Sequence, residues 1–309
     1  MKNALFLIFS VVSILISESA AAKIEMSRQG GAITVKQATT AEIEELFLQN
    51  DFEDFHKPRG EYPRIYMQHL PKDWQNIPEN DAKHRTFIRI LLPLVLKINE
   101  EIAAERDNIE QIRKKYVSNG YLEANDIKLL EEKAQKYDVF THLKGDSRIR
   151  SLIRQTLTNI DEVPPSIMIA TAAIYTNWGN SRLAREANSL YLDEIWYEKK
   201  GLVPLDDPDG GYRYQIYDTL EDCIRARALL INSHINYDYL RHSRMLSRNM
   251  KRPPYGEQLA VKMLSDSNLP NIAGLIDYTF TFYKLNRTDF FPKLRDVKND
   301  LQKEKSKER

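Results

Sequence analysis

The sequence predicts a mainly α chain that carries one small β-hairpin, and three observations predict it. Apolar residues recur at helical spacing over long runs, above all from Asp81 to Tyr116. From Val163 to Tyr191 the chain reads as a buried helix, a Trp-Gly break, a second short helix and an Asn-containing loop. Further on, two alternating segments flank a run of turn residues.

Each element has a local reason. Residues 23–38 are polar, contain Gly30-Gly31 and read as a flexible start. Thr40 to Phe52 reads as a short amphipathic helix capped by Thr40, with Ile43, Leu46 and Phe47 on one face. Pro58, Pro63, Pro71 and Pro78 then enforce an extended stretch. In the run from Asp81 to Tyr116, Phe87, Ile88, Leu91, Leu94, Val95, Ile98 and Ile102 make a broad apolar face. Pro93 inside it predicts a kink or a split. Gly120 is a natural stop, and a helix over about Asn125 to Tyr137 returns antiparallel, making a helical hairpin. Another helix covers Asp146 to Leu157. After the Val163–Tyr191 stretch, Glu194 to Lys199 and Tyr212 to Tyr217 alternate as strands around Gly201, Pro204 and the run at 206–211. Thr219, with Asp222 three residues on, caps a helix to about Ser233. Helices follow at Tyr237–Ser247, Tyr255–Ser265 and Pro270–Leu285, and the charged tail from Lys293 to Arg309 is expected to be disordered or a solvated helix.

Composition narrows the function. Among 309 residues, 45 basic ones face 44 acidic ones, so no bulk field favours nucleic acid or anionic lipid. The N-terminus reads as a signal sequence: Lys2, an apolar run from Ala4 to Ile16 and small residues ending in Ala20-Ala21-Ala22. That run is shorter than the roughly 20 residues a membrane span needs. The expectation is an exported protein of the periplasm or cell envelope, touching membrane only through this segment if it is uncleaved. Cys223 is the single cysteine and lies on an apolar helical face, as a small buried hydrophobe would. The six histidines show no ligand spacing, so neither a metal nor another cofactor is expected.

The stretch VPPSIMIATAAIYTNWGNSRLAREANSLY closely resembles the core motif of Bax-like bacterial glucosaminidases, mannosyl-glycoprotein endo-β-N-acetylglucosaminidase-like enzymes with a lysozyme-like fold. Val163-Pro164-Pro165-Ser166, Ala172-Ala173, Trp178-Gly179, Ser181-Arg182 and Asn188-Ser189-Leu190-Tyr191 fit its elements. Leu70-Pro71, the run 83–99, Gly201 to Pro204, Tyr217-Asp218-Thr219 and Asn232 to Arg241 extend the likeness, which covers roughly residues 62–290. The resemblance implies a mainly α, α+β lysozyme-like domain with a small β-lobe over 151–290. It follows a leader at 1–22 and an extension with the helical hairpin at 23–150, and precedes a charged tail at 291–309. It also implies a glycan partner, peptidoglycan or another N-acetylglucosamine-containing polymer.

Two departures stand out. Tyr175 occupies the position of the family's catalytic glutamate, and Leu264-Ser265 aligns with a late Tyr-Ser pair. Cutting a glycosidic bond needs a proton delivered to the leaving oxygen by a carboxylic acid of raised pKa. A phenol titrates near 10 and does this poorly. Three readings of Tyr175 are open. The domain is a pseudo-enzyme that keeps a glycan-binding cleft. Or another carboxylate has taken over, with Asp193 and Glu194, on the β-lobe, and Glu186 as candidates. Or Tyr175 is itself a nucleophile, as in sialidases. A relocated carboxylate should stand beside Tyr175 and face a second at about 5–9.5 Å. Asn188 and Tyr191 suit an N-acetylated sugar by hydrogen bonding and stacking; Trp178 is either a sugar platform or a packing anchor. A structural envelope protein docking through the hairpin Asp81–Tyr137 is a further class.

Overall fold

The structure, a computed structural model, describes residues 24–56, 59–196, 200–252, 256, 259–260, 271–290 and 292–298. The expected leader, the pair 264–265 and tail residues 299–309 lie outside these.

The polar start at 24–38 is ordered, against expectation. Strands β1 (Glu25–Gln29) and β2 (Ala32–Gln37) pair antiparallel around Gly30 and Gly31, whose φ values are 54° and 75°. The alternation in β2 sends Ile33 and Val35 fully into the core. A Gly-Gly pair between alternating residues is a hairpin signal, and pairing with β2 orders the polar β1. Helix α1 (Thr40–Gln49) is capped by Thr39 rather than Thr40. The Thr39 amide donates to the Glu42 carboxylate at 2.7 Å, whereas Thr40 turns to Asp73. Strands β3 (Glu61–Pro63) and β4 (Ile65–Met67) follow, and β4 extends the first sheet parallel to β2.

Helix α2 (Asp81–Asn119) begins at an Asn80 cap and ends at Gly120, left-handed at φ 77°. Pro93 does not split it. Pro93 costs the helix one amide donor, and burial of Leu91, Leu92, Leu94, Val95 and Ile98 around it holds the helix together. Helix α3 (Ala124–Lys136) returns antiparallel, with Lys115 on Asp126 at 2.7 Å and Lys133 on Glu105 at 2.8 Å. Helix α4 (Gly145–Asn159) packs against both.

Helix α5 (Pro165–Thr176) is apolar on nearly every side. Ile167, Met168, Ile169, Ala170, Ala172 and Ala173 are all buried. A helix of this kind must be surrounded by protein, and α2 is among the helices that cover it. The Asn99 side chain of α2 clamps the approach to α5 by accepting from the Val163 amide and donating to its carbonyl. Helix α6 (Arg182–Glu186) leads to the expected hairpin, β5 (Glu194–Trp196) antiparallel to β6 (Tyr212–Tyr214). Helix α7 (Leu220–Ser233) starts at the expected Thr219–Asp222 capping box. Helices α8 (Asp238–Asn249) and α9 (Ile272–Tyr283) complete the bundle. Of the helix expected over Tyr255–Ser265, residues 256, 259 and 260 are helical, and the rest lies outside the described residues. One hydrophobic cluster joins β2, α1, β4, α2, α3, α5, α7 and α9, giving the mainly α, lysozyme-like α+β arrangement. Among the described residues, no helix is long and apolar enough to cross a membrane.

The start of the tail is also ordered. Strand β7 (Lys293–Arg295) pairs parallel with β3, and Val297 is buried beside it. The turn before it carries Asp289, which accepts from the Ser166 amide at 3.0 Å and the Ser166 hydroxyl at 2.6 Å. This carboxyl satisfies the first turn of α5, an end that favours an anion. Burial nevertheless pushes it up to about 7, against the hydrogen bonds from Ser166 and the Gly256 amide. The folded state thus holds this proton more tightly than the unfolded chain, where aspartate titrates near 3.9. The resulting stabilisation is complete below that pH and is lost as pH rises through about 7. Urea unfolding between about pH 4 and pH 8 should show wild type losing stability relative to Asp289→Asn, by on the order of 4 kcal/mol across the range. Parallel stability curves for the two proteins would refute the shift.

Candidate functional site

The site is built where α5 ends. Asn177, Trp178 and Gly179 all take left-handed backbone, with φ of 47°, 56° and 81°, so the chain reverses within three residues. The reversal is fastened from inside: the Trp178 amide donates to the Ala173 carbonyl at 2.8 Å, and the Gly179 amide to the Thr176 hydroxyl at 2.8 Å. A β-carbon on Gly179 would come within 2.8 Å of both Leu70 and Trp74, so glycine is required there by space as well as by φ. Trp178 is buried, stacked on His84 with ring centroids 4.0 Å apart and edge-on to Phe87; its carbonyl accepts from Trp74 Nε1. It is the packing anchor of the break and presents no platform to a sugar.

The loop after α6 gives a similar result. Asn188 sits at φ 48°, a conformation asparagine tolerates. Its amide nitrogen donates to the Tyr217 and Asp218 carbonyls at 2.9 and 3.1 Å, and its oxygen meets His69 Nδ1 at 3.2 Å. Both polar atoms are spent on joining the β-lobe to the helices. Tyr191 is buried, its hydroxyl donates to the Met168 carbonyl, and its ring lies under the Arg227 guanidinium at 5.3 Å. No face is left for stacking. The expected sugar contacts of Asn188, Tyr191 and Trp178 are therefore replaced by structural roles.

Of the candidate carboxylates, Asp193 is the one whose charge acts on Tyr175. Asp193 Oδ2 accepts from the Tyr217 hydroxyl at 2.9 Å, and Oδ1 faces Arg227 Nη1 at 3.7 Å. Tyr175 is partly exposed at the end of α5. Burial raises its phenol above the usual value, Tyr237 and the Asp193 charge add to that, and Arg227 opposes it. The hydroxyl is a hydrogen-bond donor at neutral pH and an even weaker acid than free tyrosine. Glu194 is exposed and sits opposite Tyr214, on the same hairpin face as Trp196 and Tyr212. Successive strand residues point to opposite faces, which separates Glu194 from Asp193. Glu186 is exposed on α6 and pairs with Arg182 at 2.8 Å. Cys223 is buried, with burial pushing its thiol up, and accepts from the Leu190 amide. Among the described residues, no group of three His, Cys, Asp or Glu stands close enough to hold a metal.

Two features of the site were missed in the sequence. Arg227 falls on the apolar stripe of α7, between Ile224 and Ile231, where a charge signals a buried partner. Trp196, 55% exposed, lies 5.4 Å from Tyr212, which stands 5.5 Å from Tyr214, an aromatic face on the hairpin. A cavity of about 340 Å³ lies elsewhere, lined by Val163, Pro164, Pro165, Arg248 and Asp289 at the start of α5. Tyr175 is ten residues along, or about 15 Å at the helical rise.

The helix-break-helix site with its β-lobe fits a glycan hydrolase-like domain, the class that the comparisons with known proteins support. The family model for mannosyl-glycoprotein endo-beta-N-acetylglucosaminidase matches residues 153–269, a span that holds Tyr175, Asp193 and Arg227. Protein bax of Escherichia coli (strain K12) is 27% identical over 173 residues, 56% of this chain and 59% of that protein. The match thus spans about 59% of the length of that relative. No solved structure matches. Residues 153–269 are a glucosaminidase domain of the Bax-like type.

The bonding of Asn188 is separable from its backbone conformation. Asn188→Gly keeps the left-handed φ and removes both donations to the β-lobe. It should lower unfolding free energy by about 1–3 kcal/mol in urea titration. A loss below that range would show that the amide is not what joins the lobe.

Proposed function

We propose that this is an exported protein whose glucosaminidase domain binds the glycan of peptidoglycan and has lost most or all of its hydrolysis. The observation that carries this reading is the end of α5. There a phenol held protonated by burial stands where a proton-donating carboxyl is needed, and Asp193, the carboxylate whose charge acts on it, has one oxygen bonded by the Tyr217 hydroxyl and the other facing Arg227. A general acid contributes roughly 10²–10⁴ in rate, so its loss leaves slow turnover at best. The Trp178 anchor, the Asn188 ties and the hairpin keep the walls of the cleft in place without it. Export is supported by Lys2, the apolar run to Ile16 and the small residues at 20–22.

A second reading is an active cell-wall hydrolase with Asp193 as relocated acid, and the action of its charge on Tyr175 favours it over Glu194 or Glu186. It requires Asp193 to leave Tyr217 and Arg227 when substrate binds.

The two readings part in one assay. Purified protein is incubated with insoluble peptidoglycan, then the pellet is assayed for bound protein and the supernatant for muropeptides. The expected outcome is co-sedimentation with no muropeptide release, unchanged in Asp193→Asn. Release by wild type that Asp193→Asn abolishes would establish the second reading in its place.

A further inference from the structure

We propose that the cleft beside Tyr175 selects a carboxylate-bearing glycan and that Arg227 receives the carboxylate. This rests on the glycan-binding reading above and names the ligand chemistry of that same site.

Arg227 is only 7% exposed, yet among the described residues it makes no hydrogen bond. Its Nε is buried without a partner, and the Asp193 oxygen at 3.7 Å from Nη1 is beyond hydrogen-bonding distance. Two tyrosine rings, Tyr191 at 5.3 Å and Tyr237 at 5.4 Å, hold the guanidinium in position. Arg241 and Arg244 also leave Nε buried without a partner, but both spend their Nη donors on backbone carbonyls. Arg241 donates to the Ile231 and His234 carbonyls, and Arg244 to those of Asp161 and Glu162. Buried donors without an acceptor are rare in folded proteins and call for an explanation. A fixed, planar fork of N–H donors with unused Nη hydrogens is the geometry that reads a carboxylate.

Charge at the site decides between an acidic and a neutral sugar. Arg227 faces one carboxylate, Asp193, which also takes the Tyr217 hydroxyl. A glutamate at 175 would add a second negative charge and repel an acidic ligand. Tyr175 removes that charge and supplies a hydroxyl donor in its place. With Asp193 and Arg227 balanced, an incoming carboxylate meets Arg227 and Tyr175 without a like charge at 175. The ligand class is therefore a sugar whose acid is free, such as a uronic acid or a lactyl-bearing amino sugar stripped of peptide.

The test uses a matched pair. Peptide-free oligosaccharide of alternating N-acetylglucosamine and N-acetylmuramic acid is compared with the same oligosaccharide after conversion of its carboxyls to amides, with neutral chitotetraose as a third probe. Isothermal titration of the purified full chain should give the free acid at least about tenfold tighter binding than the amide. Arg227→Gln should bring the two within about twofold. Tyr175→Glu, which restores the family's residue, should weaken the acid more than the amide. Equal affinity for acid and amide in wild type would overturn the inference. So would a preference for the acid that persists in both variants with unchanged circular dichroism. If neither acid, amide nor chitotetraose binds, the glycan-binding reading falls with it. If all bind alike, only the charge selection falls.

Discussion

The structure depends on enclosing α5, a helix with almost no polar face. Such a helix gains its stability from burial on all sides, and for that reason its two ends cannot look to water for their unpaired amides and carbonyls. Every device around it answers that constraint. Asp289 and Ser166 satisfy the first turn, Asn99 holds the incoming strand at Val163, and Thr176 with the reversed backbone of residues 177–179 closes the last turn. Asp289 and Asn99 come from distant parts of the sequence. The N-terminal sheet, the C-terminal strand and the long α2 are therefore drawn into one core with the domain that holds the site.

The same constraint places the site. A chain leaving a buried helix must turn at once, and here it turns within three left-handed residues with Trp178 driven inward as the anchor. The last turn of α5 is consequently fixed against the helical core. Tyr175 on that turn is partly exposed, and the charges of Arg227 on α7 and of Asp193 both act on its phenol. Asn188 carries the rigidity across the gap, since its amide ties the lobe to the helices rather than to a ligand.

Much of this was legible from residue order. Helix-period apolar runs gave α2, α5 and α7, the Thr219–Asp222 spacing gave a cap, and alternation around a turn gave β5 and β6. What escaped reading has a common physical cause. Strands β1, β2 and β7 are short and partly polar, and they become stable by pairing with distant partners, which local sequence does not record. Asn188, Tyr191 and Trp178 have side chains that serve a sugar or a core equally well by type. Only burial and partner geometry distinguish the two uses, and here both favour the core. Arg227 had a readable signal, a cation on an apolar stripe, but its meaning depends on Asp193 and two tyrosines that are far away in sequence.

The site's own electrostatics suit a phenol at 175 better than a carboxyl. The position lies at the C-terminal end of a helix, where carbonyl dipoles disfavour a negative charge. It is also partly desolvated, as the raised titration of Tyr175 records, and Asp193 adds a further negative charge nearby. All three effects would hold a glutamate protonated toward neutral pH, which is what a general acid requires. All three also make that glutamate a burden on the fold, since an ionised form there is poorly solvated and repelled. A tyrosine fills the place as a neutral donor and removes the burden. The features that would suit residue 175 to proton transfer are thus the ones that would make a glutamate there costly to the fold, a cost that a neutral tyrosine avoids.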